Sequence, residues 1–440
     1  MASNPSIGGT PVPSRRLSRL WHLGRATTDF AAGIGLRGML EMARARDGEA
    51  SRIRLSPEST KRLTDRLARM RGAVMKMGQL MSMDGADVFT PEAAEIMASL
   101  RDRAEPMPMS QLSAVLDREW GKGWHRRFRR FDFQPVAAAS IGQVHRAEPR
   151  DGRALALKVQ FPGVRESIDS DIDNLAFLTR NLGIAPREMD LGPLFEEARR
   201  QLHQEADYET EARYLDAYRQ LIGDDPDFVV PAVHRDLTTG RVLAMDFVDG
   251  VSIDRLAGPR YSRAERDRAA SLLCRLVVRE LFDFALVQTD PNFGNFLYEA
   301  ETGRIALLDL GAASPVPPAL AESYRELARA AIAGDRDGLR EVAVALGYVG
   351  PQDPARHVAE IVGLIQSSAE ILRPGTYDFG TSDLFERLFT RGRDLYRDDV
   401  FTRLPDPAAM FLHRKFVGIF MLCRRLRARV DLRAILDPYL

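Results

Sequence analysis

Between His125 and Gln160 the apolar positions fall at strand spacing, in RRFRRFDF, then IGQVHRAEP, then RALALKVQF. Asp151-Gly152, between the last two runs, is the turn pair of a β-hairpin. From residue 164 to 222 the period changes to that of long amphipathic helices. Short strand-like runs, FVVPAV and RVLAMDFV, follow over 228–248. Beyond Asp249-Gly250 the pattern is helical to the end, interrupted by LVQTDPNFGNFLYE and RIALLDLGA. Upstream, residues 56–118 show helical periodicity with stops at Thr90-Pro91 and Pro106-Met107-Pro108. Residues 1–14 are small and polar with Pro and Gly, which predicts a disordered tail. The pattern predicts an α+β chain with no internal repeat. Its parts are the tail 1–14, a helical extension 15–118, a small β-rich lobe with a long helix 119–248, and a mostly helical lobe 249–440.

Composition sharpens this in places. The 440 residues suffice for roughly two to three domains with a sizeable core. The 62 basic and 62 acidic side chains cancel, which excludes a bulk nucleic-acid binder, since neutralising phosphates takes surplus Lys and Arg. The balance hides a skew: Lys61, Lys76, Lys122, Lys158 and Lys415 are the only lysines, so 62 basic residues less these five leaves 57 arginines. Surface Lys and Arg exchange easily, so scarcity marks no single lysine, but each asks for a reason. Cys274 and Cys423, both in apolar helical contexts, form neither a disulfide framework nor a metal site and fit a reducing compartment. The seven scattered histidines show no zinc-binding spacing. No run of about 18 apolar residues exists, and Phe411 to Cys423 is broken by His413, Arg414 and Lys415. The N-terminus lacks the order of a secretory leader, so an intracellular protein, soluble or peripheral, is expected.

One segment is locally charged. The helical stretch from Arg15 to Ala45 sets Leu17, Leu20, Trp21 and Leu23 beside Arg15, Arg16, Arg19 and Arg25. Counted to Leu55, nine arginines face Asp29, Glu41, Asp47 and Glu49, a surplus of five positive charges. Such a segment can lie on an anionic membrane surface or dock on its own domain, and the pattern favours neither.

Candidate chemistry begins at Gln288-Thr289-Asp290-Pro291-Asn292-Phe293-Gly294-Asn295, with Asp309-Leu310-Gly311 closing the next apolar strand. Each piece alone is ordinary turn chemistry. Together they have the order and spacing of a kinase catalytic loop and its metal-binding Asp: Asp290 to orient a hydroxyl, Asn295 and Asp309 to give Mg²⁺ hard oxygen ligands. Lys158 closes the strand ALALK, where alternate side chains are buried and an ammonium needs an anion such as nucleotide phosphate or a helix Glu. The acid is Glu205, Asp207 or Glu211, all read as lying on one helix through EEARRQLHQEADYETEARYLDAY. At about 100° per residue, Glu205 and Glu211 lie about 240° apart, so one helix can meet two lysines. Lys76, sharing a helix face with Gln79, is the second candidate. No GxGxxG loop precedes Lys158; the equivalent turn reads Ala137-Ala138-Ala139-Ser140-Ile141-Gly142-Gln143. No Ala-Pro-Glu segment follows Asp309-Leu310-Gly311, so a small or lipidic acceptor, or plain ATP hydrolysis, fits better than a protein substrate.

The set KMGQ (76–79), AAASIGQVH (137–145), ALALK (154–158), EADYETEA (205–212), QTDPNFGN (288–295) and DLG (309–311) resembles the UbiB, or AarF-like, family of atypical kinases, which is linked to ubiquinone biosynthesis. The resemblance spans residues 65–425, and QTDPNFGN with the late LPDPAAMFLHRKFVG is most similar to the mitochondrial coenzyme Q branch and its bacterial relatives. It implies a bilobal protein-kinase-like fold with the KxGQ extension, ATP (or ADP) and Mg²⁺ as cofactors, and catalytic roles for Asp290 and Lys158. Lys158 would pair with Glu211, and Asn295 and Asp309 would hold the metal. Ala137, Ala138, Ala139, Ser140, Gly142 and Gln143 would form the nucleotide loop. Met245 to Gly250, Met245 and Phe247 above all, would hold adenine by backbone hydrogen bonds. Lys76, Gly78 and Gln79 would lie over the site and restrict protein-kinase activity, with Glu205 and Asp207 facing them. The implied partners are a nucleotide, a membrane lipid or quinone precursor, quinone-biosynthesis enzymes and a second copy of the chain. The implied place is the inner face of a bacterial membrane, reached from the cytoplasm, or the matrix side of a mitochondrion. The rival readings are a small-molecule phosphotransferase and a nucleotide-gated lipid or protein scaffold without turnover. One departure is DLG where DFG is usual, which keeps the ligand. The resemblance assigns no role to Lys415.

Overall fold

The computed structural model describes Lys76 and residues 106–139, 141–181, 192–290, 292–350, 352–397, 400 and 407–440. The tail, the basic segment from Arg15, Gly78, Gln79 and Ser140 lie outside the described residues. Two compact units divide the chain: one holds the residues up to Arg213 and Ala232–Phe247, the other Tyr214–Pro231 and Val248–Leu440.

The first unit is built on an antiparallel sheet. Its strands are β1 (Phe128–Phe131), β3 (Gly142–Pro149), β4 (Leu155–Gln160) and β6 (Val242–Asp246) in that order, with β2 (Ala137–Ala139) paired to β3. The Asp151-Gly152 turn joins β3 to β4 as the pattern predicts, with Gly152 at φ +86°, a conformation that suits glycine. β4 is central and buried throughout: Leu155, Leu157 and Val159 fill one face, while Ala156, Lys158 and Gln160 occupy the other. The strand expected from His125 starts later, because Trp124–Arg127 form a 3₁₀ turn. Trp124 packs there among Trp120, Phe128, Phe131 and Phe133, with ring centroids 5.0–6.5 Å apart. Helices α1 (Met109–Trp120), α2 (Val164–Asn181) and α3 (Gly192–Glu205) complete this unit with the start of α4 (Tyr208–Ile222).

One expectation is corrected here. The helix read as continuous through Glu205 and Glu211 is two helices, α3 and α4, parted at Ala206-Asp207. Asp207 starts the second: its carboxylate accepts from the Thr210 amide at 3.1 Å and from the Thr210 hydroxyl at 2.6 Å, an N-cap. Burial works against the Asp207 carboxylate, and the two Thr210 bonds nonetheless hold its pKa below the usual value.

In the second unit, β5 (Phe228–Val229) runs parallel to β10 (Arg304–Leu307), which pairs antiparallel with β9 (Phe296–Glu299), and β9 with β7 (Val251–Ser252). β8 (Leu286–Gln288) pairs with β11 (Ala313–Pro315). Helix α5 (Arg263–Phe282) starts with a reciprocal capping box between Ser262 and Glu265. The helices α6 (Pro318–Ala333), α7 (Arg336–Ala345), α8 (Ala355–Ser368), α9 (Leu384–Arg397) and α10 (Pro407–Arg425) follow. Leu281, Val287, Val316, Tyr324, Val342, Leu346 and Leu412 form the core that joins α5, β8, α6, α7 and α10. Cys274 of α5 and Cys423 of α10 are buried free thiols whose sulfurs lie 3.8 Å apart. Among the described residues no helix is long and apolar enough to cross a membrane.

Candidate active site

In the first unit, β4 delivers its polar face to the α3–α4 junction. Lys158 Nζ donates to both carboxylate oxygens of Glu211, at 2.9 and 3.0 Å, and lies 5.2 Å from the centre of the Tyr208 ring. Two residues along the same face, Gln160 Nε2 donates to the Ala206 carbonyl at 2.9 Å. Lys76 is fully buried and forms an ion pair with Glu205. The two lysines therefore meet two glutamates, as the spacing anticipates, but the helix break and not a single helix face parts them.

The alanine-rich loop is a hairpin, with Ala137 opposite Val144 and Ala139 opposite Gly142; Ala137 and Ala138 are exposed. Gly142 has no space for a side chain: a Cβ there would stand 2.3 Å from the Val159 carbonyl oxygen. Gln143 stands opposite Ala138 in this hairpin. It is buried, its Oε1 accepts from the Met107 amide at 2.8 Å, and its Nε2 sits 2.7 Å from His145 Nε2. His145 Nδ1 donates to the Asp132 carbonyl at 2.9 Å, which leaves Nε2 as the acceptor for Gln143. Burial pulls the His145 pKa down, so the neutral ring suits this chain of bonds. Gln143 thus ties β3 to the segment entering α1. Met245 is buried opposite Ala156, and the Phe247 amide donates to the Ala154 carbonyl at 2.8 Å, directly before the chain passes into the second unit.

In the second unit, the segment after β8 bends at Asn292, whose Oδ1 accepts from the Gly294 amide, into a 3₁₀ turn over Phe293–Asn295. Asn295 Nδ2 donates to the Asp290 carbonyl at 3.3 Å, closing the loop on itself. The β9–β10 hairpin sets Phe296 opposite Leu307, and the Leu308 amide donates to the Asn295 carbonyl at 2.9 Å. Asn295 and Asp309 are thereby brought to the same end of one hairpin, and Asp309 Oδ1 accepts from the Gly311 amide at 3.1 Å. The Thr289 hydroxyl donates to the Ala312 carbonyl at 2.7 Å, pinning the catalytic loop to the chain that follows Asp309. Arg414 of α10 reaches Asp290 Oδ1 at 3.5 Å.

The sequence assigned nothing to Lys415, yet it is as buried as Lys76. Its Nζ lies 2.9 Å from Glu280 Oε2 and donates to Gln288 Oε1 at 3.4 Å. The only available signal was its type and place: a scarce lysine in an otherwise apolar helical run. For a metal, one carboxylate and one carboxamide at a strand end suit Mg²⁺, which binds through few protein oxygens plus phosphate and water. Among the described residues no cluster of three or more His, Cys, Asp or Glu is placed to hold a metal ion.

The ABC1 atypical kinase-like domain matches residues 99–343, more than half of the chain. The chain belongs to the ABC1, or UbiB, family of atypical kinases. It is 35% identical over 432 residues to the mitochondrial atypical kinase COQ8 of Saccharomyces cerevisiae, covering 97% of this chain and 85% of the relative. To the mitochondrial atypical kinase COQ8B of Rattus norvegicus it is 34% identical over 437 residues, covering 97% and 81%. Among solved structures, the Rv3197–erythromycin complex from Mycobacterium tuberculosis matches with a TM-score of 0.60 at 24% identity, over 87% of this chain and 96% of that one, a likeness of fold. The ABC1 chain is thus an enzyme of the atypical-kinase type with an α+β, protein-kinase-like fold.

Proposed function

We propose that this ABC1 kinase is an ATP- and Mg²⁺-dependent atypical kinase or ATPase that supports ubiquinone biosynthesis at a membrane surface. The buried, doubly bonded Lys158–Glu211 pair carries this reading: an ammonium held rigidly on the central strand suits nucleotide phosphates. Lys158 binds the α- and β-phosphates, and the Ala137–Gly142 turn, Ser140 included, covers them. The segment from Met245 to Gly250, Met245 and Phe247 included, binds adenine through backbone groups other than the Phe247 amide, which the Ala154 carbonyl takes. Asp290 orients the attacking hydroxyl or water, and the γ-phosphoryl group passes from ATP to that oxygen with release of ADP. Asn295 and Asp309 hold Mg²⁺, which when bound neutralises phosphate charge.

The acceptor follows from what comes next. Only residues 312–317 separate Gly311 from α6, and β11 takes part of them. A protein-substrate platform has no room there, so the acceptor is a small or lipidic molecule, or water. Lys76, Gly78 and Gln79 of the 15–118 extension form the restricting element, faced by Glu205 and Asp207 from the adjoining lobe. The names of the yeast and rat relatives support a mitochondrial setting; the inner face of a bacterial membrane is the alternative. The test is turnover of ATP by wild type and Asp290→Asn, with and without vesicles, beside quinone-intermediate profiling of cells carrying each. Mg²⁺-dependent turnover lost in Asp290→Asn is expected; equal turnover by both proteins overturns the reading.

A further inference from the structure

We propose that Lys415 is a positioning residue for the phosphoryl-transfer site, a buried ammonium that fixes the strand ends carrying Asp290, Asn295 and Asp309. The inference deepens the nucleotide reading above and rests on it. α10 places Arg414 and Lys415 next to each other, and both turn toward the catalytic segment: Arg414 to Asp290 itself, Lys415 to its supports. Two neighbours of Lys415, Gln288 and Phe296, lead to the site residues. Gln288, which accepts from Lys415, stands two residues before Asp290, and its Nε2 donates to the Asp309 carbonyl at 3.3 Å. Phe296, whose ring centre is 5.6 Å from Nζ, follows Asn295 directly. Glu280, the counter-ion, closes the ring: its Oε1 accepts from the Tyr218 hydroxyl at 3.0 Å and lies 3.5 Å from the Gln288 amide nitrogen.

Lys415, Glu280, Gln288 and Tyr218 are each 1% exposed or less. An ion pair this deep adds little net stability over apolar side chains of the same volume, so stability alone gives no reason for it. Directional bonds do give one. The relay Lys415–Gln288–Asp309 fixes the backbone carbonyl of Asp309, the proposed metal-holding residue itself, where a small displacement weighs heavily on rate. Burial pushes the Glu280 carboxyl up, and the Lys415 ammonium is the main opposing influence, so the network depends on the ammonium for its charged acceptor. Tyr218, raised well above the ordinary phenol value by burial and then by Glu280, stays a donor throughout.

The experiment compares wild type with the double variant Glu280→Gln/Lys415→Met, which removes both charges at similar volume, and with Gln288→Met, which cuts the relay and leaves the ion pair in place. Melting without nucleotide, ATP turnover and the Mg²⁺ concentration for half-maximal turnover are measured for each. The expected result is near-wild-type melting of the double variant, with turnover down or the Mg²⁺ half-saturation up by about 10-fold or more, as for outer-shell partners of metal sites. Gln288→Met is expected to show the same shift. Lys415→Arg, which keeps the charge, should recover part of it. A folded double variant, or a folded Gln288→Met, that turns over and titrates Mg²⁺ like wild type overturns the inference alone. A wild type indifferent to Mg²⁺ and ATP, no different from Asp309→Asn, overturns the nucleotide reading and this inference with it.

Discussion

The Lys158–Glu211 and Lys415–Glu280 pairs join the same two kinds of side chain at the same 2.9 Å, yet their surroundings differ. Lys158 meets its glutamate through both oxygens on the polar face of β4, and its side chain keeps 7% of its exposure. Lys415 keeps none, divides its donors between a carboxylate and a carboxamide, and lies over a phenyl ring. A lysine that must exchange a carboxylate partner for a phosphate has to stand where a ligand can arrive. One sealed on every side can only hold its neighbours in place. On the proposed reading the same chemistry would serve substrate in the first unit and architecture in the second, the residual exposure of the Lys158 side chain being the difference. Arginine's planar fork needs more room than a buried ammonium, so Lys415→Arg keeps the charge but should recover only part of the positioning.

Substitutions can break this comparison. The largest effect is expected from Lys158→Met, which should cut ATP turnover by at least about 10²-fold, as loss of one preorganised electrostatic donor does. Its stability should fall as well, because Glu211 is as sealed as Glu280 and loses the same kind of partner. Lys415→Met strands a carboxylate that nothing can solvate and should cost about 3–5 kcal/mol in denaturant unfolding. Equal turnover losses in the two variants would erase the distinction.

Acidification sharpens it from another side. His413, next to Arg414 on α10, stacks on the Tyr348 ring at 5.3 Å and bonds to its hydroxyl; burial holds its pKa down to about 4. The unfolded chain takes up this proton near pH 6.5 and the folded chain only near 4, so the contribution is complete above 6.5 and is lost as pH falls through that window. The loss amounts to about 3 kcal/mol, measured as unfolding free energy against pH, and His413→Phe should flatten it. Burial lowers the pKa of His145 in the first unit too, so its contribution has the same sign. A profile flat from pH 6.5 to 4 contradicts both. The smallest effect is expected from Gly142→Ala, whose methyl group meets the Val159 carbonyl beside Lys158: about 1–3 kcal/mol, read as a lowered melting temperature.

How much of this was legible beforehand follows from the range of each interaction. The hairpin at Asp151-Gly152, the strand ending in Lys158 and the Asp290–Asn295–Asp309 arrangement are written in local period and turn residues. So is the requirement that two lysines meet two acids near 205–211. The break at Ala206-Asp207 was missed because helical periodicity runs straight through it, and the Asp207–Thr210 cap that causes it is a four-residue signal easily taken as mid-helix polarity. The bond from the Met107 amide to Gln143 was not legible because the two residues lie 36 positions apart. Lys415 was left without a role for the same reason on a larger scale: its acceptor Gln288 is 127 residues distant, and sequence period says nothing about what a buried helix face will meet. Scarcity of lysine proved a useful hint: Lys76, Lys158 and Lys415 are buried in carboxylate pairs, while Lys122 is exposed.

The most direct test of the nucleotide site is calorimetric titration of ATP, with and without Mg²⁺, into wild type, Lys158→Met and Asp309→Asn. Wild type should bind with Mg²⁺-dependent affinity, Lys158→Met should bind weakly under both conditions, and Asp309→Asn should lose only the Mg²⁺ dependence. Identical titrations for the three proteins would contradict the account.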